Sequence, residues 1–571
     1  MKLSRVLIIL WFWCGCVAGG AALDRDAFTF TNYQLDLRVE PAQQRLAVRG
    51  KITLRNDSAA PQKNLVLQIS SSLDWRSIQA GGKPVQFVAQ PYASDIDHTG
   101  GVSEAVITLP QEVAPKAVVE LEIGYEGTVA LDIGRLKRVG IPDEIARRTD
   151  WDQISPSFTA LRGVGHVIWY PVAMQSADFS EGNSLFQVLG RWKAREAQSE
   201  MKISVAQLVR PGDKEDVVVC DGKPEPRTNE ERAPGSPVDC SYSPLGFTLP
   251  TLVLGDFEVA EGPSVRVFHA AGSKDEAETY VAAADKAVPF VQQWLGQVHG
   301  KAQVVQLPDA SAAPFESGTM LLSPLSTDPK FVEITLVHEL AHTVFSSTRP
   351  WIYEGVAHFA QAVYREQQAG RQAALDYMGL HRTALADAEK PVSGQKAESA
   401  ASESLINTTS EEFYRSKAMF VWWMLRDMVG EPALKKALAA YRPQDDKEPS
   451  YVQHLIEAQS KRDLEWFFDD WVYRDRGLPD FRIVSVYPRK TLGNAYVVTV
   501  TVENLGEAGA EAPVTLRSAE GDVTKRLGVR GKATASIRIE VPSLPQEAVV
   551  NDGSVPERDA TNNSFRVEVD K

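Results

Sequence analysis

The residues best suited to chemistry in this sequence form the segment His338-Glu339-Leu340-Ala341-His342. On a helix, side chains four positions apart share a face, so both imidazoles can reach one metal ion. Glu339 lies between them and projects towards a metal-bound water, whose proton its carboxylate can accept. Chance produces this pattern on the order of once in a hundred such chains. The alternative is a helix with two solvated histidines or a satisfied pair in the core.

A third metal ligand follows at short range, in the segment Trp-Ile-Tyr-Glu-Gly at 351–355. Pro350 suits the first turn of a second helix, so Glu354 projects from its opening back towards the histidines. Two histidines and one glutamate leave a fourth position for water, as in catalytic zinc sites, and we expect one Zn²⁺ ion. His358 is an alternative ligand on the same face. We interpret it instead as a histidine of the core or of the surroundings of the ligands.

The elements that must position these residues follow from the periodicity of apolar side chains. Alternation with a period of two begins at about Phe28 and continues, with interruptions, to about Val259, which predicts antiparallel sheet. Helical periodicity follows, and after Pro479 the period returns to two, which predicts a small β-sandwich. The predicted helices cover 277–298, 331–345, 351–368, 411–429 and 461–473, and 388–409 is predicted as a long surface loop.

Length and composition indicate a multidomain α+β protein, because 571 residues exceed a single hydrophobic core. We divide the chain into a signal peptide (1–22), an N-terminal β domain (23–262), a helical zinc domain (263–478) and a C-terminal β-sandwich (479–571). The formal net charge of -14 without long basic runs excludes nucleic acid and anionic membrane surfaces as expected partners.

Together, the zinc motif and the Glu354 segment resemble the aminopeptidase N family of gluzincin metallopeptidases. That resemblance implies a saddle-like N-terminal β domain and a thermolysin-like catalytic domain. The segment Pro-Phe-Glu-Ser-Gly at 314–318 is similar to the family's G-x-M-E-N motif, which makes Glu316 the group that binds the free α-amine of the substrate. The segment Tyr-Arg-Ser-Lys-Ala at 414–418 is similar to Y-E-K-G-A, which makes Tyr414 the residue that stabilises the tetrahedral intermediate.

Several positions depart from the family pattern. Eleven residues separate His342 from Glu354, where the family usually has eighteen. Phe315 and Ser317 replace the Met and Asn of the amine-binding motif, and Gln361 stands where a glutamate is usual. The large helical C-terminal domain that covers the site in many members is absent, which implies a site more open to longer substrates.

The N-terminus and the cysteines bear on localisation. Lys2 and Arg5 precede a short apolar run at 6–17 and small residues to Ala22, which predicts a secretory signal peptide and a periplasmic or extracellular protein. The run is shorter than the roughly 20 residues that span a bilayer, so no transmembrane segment is expected after cleavage. Retention as an anchor and lipidation at Cys16 are the alternatives. Cys220 and Cys240 are expected to form a disulfide, with two free thiols as the alternative.

Function follows as a hypothesis with two alternatives. The residues and the resemblance predict a zinc metallopeptidase, an aminopeptidase that hydrolyses peptides with a free N-terminus. The first alternative is a zinc endopeptidase in which Glu316 is structural. The second is a catalytically silent peptide-binding relative, which the presence of every expected catalytic residue disfavours. The pattern specifies no oligomeric state and no role for the β-sandwich.

Overall fold

The computed structural model describes residues 23–181, 184–208, 215–224, 236–389, 404–408, 410–493 and 495–567. The predicted signal peptide, with Cys16, lies outside the described residues, and so does most of the predicted loop at 388–409. Within the described ranges, no helix has the length and apolar character that a membrane crossing requires.

The first part of the chain is rich in strands, as its period-two alternation predicts. Alternate side chains of the first strand, Tyr33, Leu35, Leu37 and Val39, are buried. One sheet has the order β12-β13-β10-β1-β2-β8-β4-β5, a second β3-β7-β6 and a third β11-β14-β9. The strands are β1 (Phe28–Glu40), β2 (Arg45–Asn56), β3 (Gln62–Ser70), β4 (Leu73–Ala80), β5 (Lys83–Pro84), β6 (Gln86–Ala93), β7 (Gly101–Val113), β8 (Val118–Thr128), β9 (Phe158–Leu161), β10 (Glu200–Gln207), β11 (Val217–Cys220), β12 (Lys223–Pro224), β13 (Val238–Tyr242) and β14 (Leu252–Gly255).

Two features of this part differ from the sequence-based expectation. Strands β1 and β10 pair in parallel, whereas only antiparallel sheet was predicted. Three helices also interrupt the strands: α1 (Gly134–Arg138), α2 (Asp143–Thr149) and α3 (Ser184–Glu196). Strands β1 and β10 are far apart in sequence, and α1 and α2 are short. Local periodicity carries little information about pairing at that distance or about helices of that length. Cys220 and Cys240 form the expected disulfide, with their Cα atoms 6.7 Å apart.

The middle part combines a sheet of order β15-β16-β17-β19-β18 with the helices that carry the zinc motif. Its strands are β15 (Glu258–Glu261), β16 (Val265–His269), β17 (Ala302–Gln306), β18 (Phe315–Ser317) and β19 (Met320–Ser323). Strand β15 precedes the predicted boundary at residue 263, yet it pairs with β16 in this sheet. Strand β18 forms one edge and runs antiparallel to β19.

The helices of the middle part follow the predicted ones closely where the apolar stripe is strong. They are α4 (Lys274–Leu295), α5 (Pro329–Val344), α6 (Pro350–Ala369), α7 (Arg371–Gly379), α8 (Arg382–Ala388), α9 (Ala418–Val429), α10 (Glu431–Ala440), α11 (Tyr451–Ser460) and α12 (Glu465–Phe468), with π-helical turns at Glu412–Lys417 and Asp469–Tyr473. The helix predicted from Lys461 is wrong at its start, because Lys461 is left-handed (φ 57°) and ends α11. Helices α7, α8, α10 and α11 were not predicted.

The last part contains two antiparallel sheets, of order β20-β21-β24 and β23-β22-β25-β26, where the sandwich was predicted. The strands are β20 (Phe481–Lys490), β21 (Tyr496–Asn504), β22 (Ala510–Ser518), β23 (Gly521–Val529), β24 (Thr534–Val541), β25 (Pro545–Val550) and β26 (Ser564–Arg566). The fully buried Trp471 donates its indole N–H to the carbonyl of Gly509 over 2.7 Å. This contact ties the sheets to the helices of the middle part.

Candidate metal centre and substrate cavity

Helix α5 presents the two histidines of the zinc motif on one face. It begins at Pro329, and the Asp328 carboxylate caps it by accepting the Lys330 N–H at 2.9 Å. The Nε2 atoms of His338 and His342 lie 3.0 Å apart. Both side chains are nearly inaccessible to solvent, so the pair belongs to a packed interior and is not a solvated helix surface.

Helix α6 brings Glu354 to this pair. Pro350 occupies its first turn, as expected, and the helix packs against α5. The carboxylate oxygens of Glu354 lie 3.7 Å from His338 Nε2 and 3.8 Å from His342 Nε2. The shortened connection between the motifs therefore still allows all three predicted ligands to meet.

Glu316 reaches the same point from the edge strand β18. Its Oε1 lies 2.6 Å from His338 Nε2 and 3.3 Å from His342 Nε2. Ser317 positions this strand, because its hydroxyl donates to the carbonyl of Leu249 and accepts the Leu249 N–H, both at 2.9 Å. The serine that replaces the family's asparagine thus ties the strand to the N-terminal part of the chain.

The four residues meet the requirements of a zinc site. One ligand atom from each of Glu316, His338, His342 and Glu354 lies within 4.8 Å of every other. Zinc bonds of about 2.0–2.1 Å in a tetrahedron place ligand atoms about 3.4 Å apart, which the observed spacings approach. Two imidazole nitrogens and carboxylate oxygens are also the donor set that zinc prefers at catalytic sites.

Glu339 lies beside the ligands without belonging to their set. Its side chain is almost fully buried, and its Oε2 has no hydrogen-bond partner among the residues that the structure describes. Burial, reinforced by the negative charges of Glu316 and Glu354, raises the pKa of Glu339 well above its ordinary value. A buried acceptor without a partner next to a metal site is well placed to accept a proton.

Tyr414 lies in the π-helical turn Glu412–Lys417, and its hydroxyl is bonded to a residue outside the set of metal ligands. The hydroxyl donates to the Glu411 carboxylate over 3.1 Å. The turn is anchored by Lys417, whose fully buried ammonium contacts Glu389 at 2.5 Å and also Asp475. π-Helical turns are uncommon and concentrate at functional sites.

The structure brings Arg415, for which no role was predicted, to the metal ligands. Its Nε lies 3.3 Å from Glu354 Oε2, so a guanidinium stands next to the third ligand. In the family segment this position is a glutamate, so the charge is reversed here. In the sequence, only the arginine in place of the family's glutamate could have pointed to Arg415. No local pattern relates it to Glu354, which lies 61 positions earlier.

Tyr353 is a second neighbour of the ligands for which no role was predicted. Its ring stacks on His342 with centroids 3.9 Å apart, and its hydroxyl donates to the Gly318 carbonyl over 3.4 Å. His358 packs its ring 4.8 Å from that of His338 but lies outside the four-residue cluster. Gln361 donates to the Ile334 carbonyl over 3.1 Å and thereby joins α6 to α5.

The ligands lie beside a cavity of about 890 Å³ between the N-terminal and middle parts of the chain. Glu316, Glu354 and Tyr414 line it from the middle part. Helix α3 of the N-terminal part supplies a facing wall with Leu189 and Lys193. Pockets of about 300–1,000 Å³ enclose ligands of the size of a short peptide.

No protein-family model matches the sequence, and no curated protein matches it. The fold is similar to that of the M1 zinc metallopeptidase of Deinococcus radiodurans, with a TM-score of 0.49 and 16% identity over 79% of this chain and 95% of that one. A mutant of that enzyme bound to a Tyr-Ser-Ala substrate is similar with a TM-score of 0.47 and 18% identity, over 80% and 96%.

Proposed function

We propose that this protein is an exported zinc peptidase and, within that class, an aminopeptidase. The observation that supports this most directly is the convergence of His338, His342 and Glu354, with Glu316 beside them, at the wall of a peptide-sized cavity. The segments come from two helices and an edge strand, and each contributes a side chain that zinc or a peptide amine would bind.

The chemistry would be divided among few residues. His338, His342 and Glu354 would hold zinc, which lowers the pKa of a bound water and polarises a carbonyl. Glu339 would take the proton of the attacking water at its unpartnered oxygen and deliver it to the departing amine. Tyr414 would stabilise the oxyanion, which requires its hydroxyl to leave Glu411.

The position of Glu316 favours removal of single N-terminal residues. Its carboxylate contacts the imidazole of His338 at 2.6 Å, so an ammonium bound there would lie next to the metal ligands. In a peptide, the N-terminal nitrogen and its own carbonyl carbon are only about 2.5 Å apart. The first peptide bond would therefore be the one presented for hydrolysis.

The endopeptidase alternative rests on the same contact. If Glu316 is structural and holds His338 in place, it does not bind an amine, and a blocked N-terminus would not impair cleavage. The two functions therefore differ in a single measurable property, the dependence on a free α-amine.

The experiment is hydrolysis of aminoacyl fluorogenic amides and matched short peptides, each with a free or an acetylated N-terminus, with a chelator control. Chelator-sensitive cleavage restricted to the free-amine set supports the aminopeptidase, and cleavage of both sets supports the endopeptidase. No cleavage of any member, despite one bound zinc, would refute the proposed activity and favour a peptide-binding relative.

Variants of Glu316 separate its two roles. In an aminopeptidase, Glu316→Gln lowers activity on free-amine substrates and leaves the zinc content unchanged, whereas a structural role at His338 predicts a loss of both. Glu258→Gln is the matched control, because Glu258 lies on β15, at the opposite edge of the same sheet, and is exposed. Export is tested separately by N-terminal sequencing of the mature protein from the medium or periplasm.

A further inference from the structure

Helix α3 places a lysine in the wall of the substrate cavity. Leu185, Leu189 and Lys193 are spaced four residues apart and therefore share one helix face, and all three line the cavity. The flank of the helix next to this face is fixed by Trp192, which is 2% exposed and packs its ring 6.1 Å from that of Tyr170. The position of Lys193 is thus set by a buried anchor next to it.

Among the described residues, the ammonium of Lys193 has no counterion of its own. It forms no hydrogen bond, and no ion pair within 4 Å, with any part of the chain that the structure describes. The carboxylates on its side of the cavity are already engaged, because Glu354 faces Arg415 at 3.3 Å and Glu411 accepts the Tyr414 hydroxyl at 3.1 Å. Burial lowers the pKa of the Lys193 ammonium, so little water compensates its charge.

A half-buried cation without a partner is costly unless an anion from outside joins it. The apolar neighbours Leu185 and Leu189 offer no such anion. Since no described residue supplies this anion, we infer that it enters the cavity, and a carboxylate or another anion on the substrate is the chemistry that fits a lysine.

Lys193 and Glu316 both line the cavity, but of the two only Glu316 belongs to the cluster of possible metal ligands. Starting from Glu316, a series of close contacts leads to Arg415. Glu316 contacts His338, whose Nε2 lies 3.7 Å from Glu354, and Glu354 lies 3.3 Å from Arg415. The charges that act on the Lys193 ammonium are those of Glu411, Arg415 and Glu354, which associates Lys193 with the Arg415 end of this series. A peptide that starts with its amine at Glu316 and crosses the ligands would therefore direct its later residues towards Lys193.

We propose that Lys193 binds a carboxylate of the substrate, downstream of the hydrolysed bond, and that the preferred substrates are short peptides carrying this charge. The inference rests on the proposed function for the direction of the peptide. The carboxylate has two possible sources, the C-terminus of a di- or tripeptide or an acidic side chain. A cavity of about 890 Å³ is large enough for a short peptide, so either source can reach it.

The test measures binding without turnover. Zinc-loaded full-length protein carrying Glu339→Gln is titrated by calorimetry with Leu-Ala-Ala, with its C-terminal amide and with Leu-Asp-Ala amide. We expect Leu-Ala-Ala to bind about 10- to 100-fold more tightly than its amide, as a charge-assisted hydrogen bond would provide. Adding Lys193→Met removes this difference and leaves the affinity of the amide unchanged, and Lys193→Arg restores most of it.

Arg191→Met is the matched control, because Arg191 is exposed on the same helix and does not line the cavity. Tight binding of Leu-Asp-Ala amide that depends on Lys193 supports the inference with the side chain as the source. Equal affinities for all three peptides, a preference that survives Lys193→Met, or no binding of any peptide overturns it. Hydrolysis of the amide by the unmodified protein is measured in parallel. Binding preference without hydrolysis refutes the proposed function alone, and hydrolysis without preference refutes the role of Lys193 alone.

Discussion

Replacement of Gly355 by alanine is expected to lower catalytic efficiency although alanine is the better helix former. Gly355 follows the metal ligand Glu354 in α6 and packs against the start of α9. A Cβ atom at this position would lie 2.6 Å from the Cβ of Ala418 and 3.0 Å from the indole of Trp422. Carbon atoms in ordinary contact are at least 3.4 Å apart, so α6 and α9 must separate by about 0.8 Å.

The surrounding contacts prevent α9 from yielding easily. Trp422 is fully buried, stacks on Trp351 with ring centroids 5.4 Å apart, and donates its N–H to the Trp351 carbonyl over 3.2 Å. Overpacking of this kind costs about 1–3 kcal/mol, against a helix-propensity gain of up to about 1 kcal/mol. The displacement falls on α6 next to Glu354, and a 1 Å misplacement at a reacting centre lowers the rate by up to about 100-fold.

The assay is kcat/KM on a free-amine aminoacyl amide, with the zinc content and the melting temperature of each variant. We expect Gly355→Ala to lose about 10- to 100-fold in kcat/KM and to melt a few degrees lower. Gly379→Ala is the control, because Gly379 ends α7 and no heavy atom lies within 4 Å of its added Cβ. Adding Ala418→Gly should restore part of the loss. Wild-type kcat/KM in Gly355→Ala, or no recovery in the double variant, would refute this packing argument.

Three further outcomes are expected. Glu339→Gln should keep its zinc and lose about 10²- to 10⁴-fold in turnover, since it removes only the base; near-normal turnover would contradict that role. Tyr414→Phe should lower kcat by about 10²-fold at unchanged zinc content, and an unchanged kcat would make its bond to Glu411 purely structural. Burial raises the pKa of Asp221 from 3.8 to about 7. The stability that protonated Asp221 contributes is therefore complete below the pKa that Asp221 has in the unfolded chain, and it is lost as the pH rises through about 7. Relative to Asp221→Asn, the unmodified protein should lose up to about 4 kcal/mol of unfolding free energy between pH 4 and 8, measured by urea denaturation; parallel pH profiles would contradict the shift.

Much of the architecture was predictable because it is local. The stripe of α5, the proline that opens α6 and the alternation of β1 each involve residues a few positions apart, where the geometry of helix and strand dictates which side chains share a face. The order of elements and the pairing of Cys220 with Cys240 also followed from the sequence. The short helices α7, α8, α10 and α11 were missed because brief apolar runs do not distinguish a helix from a loop.

By itself, the sequence determined the chemistry available here: two histidines and a glutamate at ligand spacing, and a second glutamate between the histidines. Only the tertiary structure decided what surrounds them. Edge strand β18 brings Glu316 to His338, the turn at Glu412–Lys417 sets Arg415 against Glu354, and α3 carries Lys193 into the same cavity. These partners come from segments far apart in the chain, and their meeting depends on how sheets and helices bury their apolar faces. No periodicity within a single segment encodes that packing.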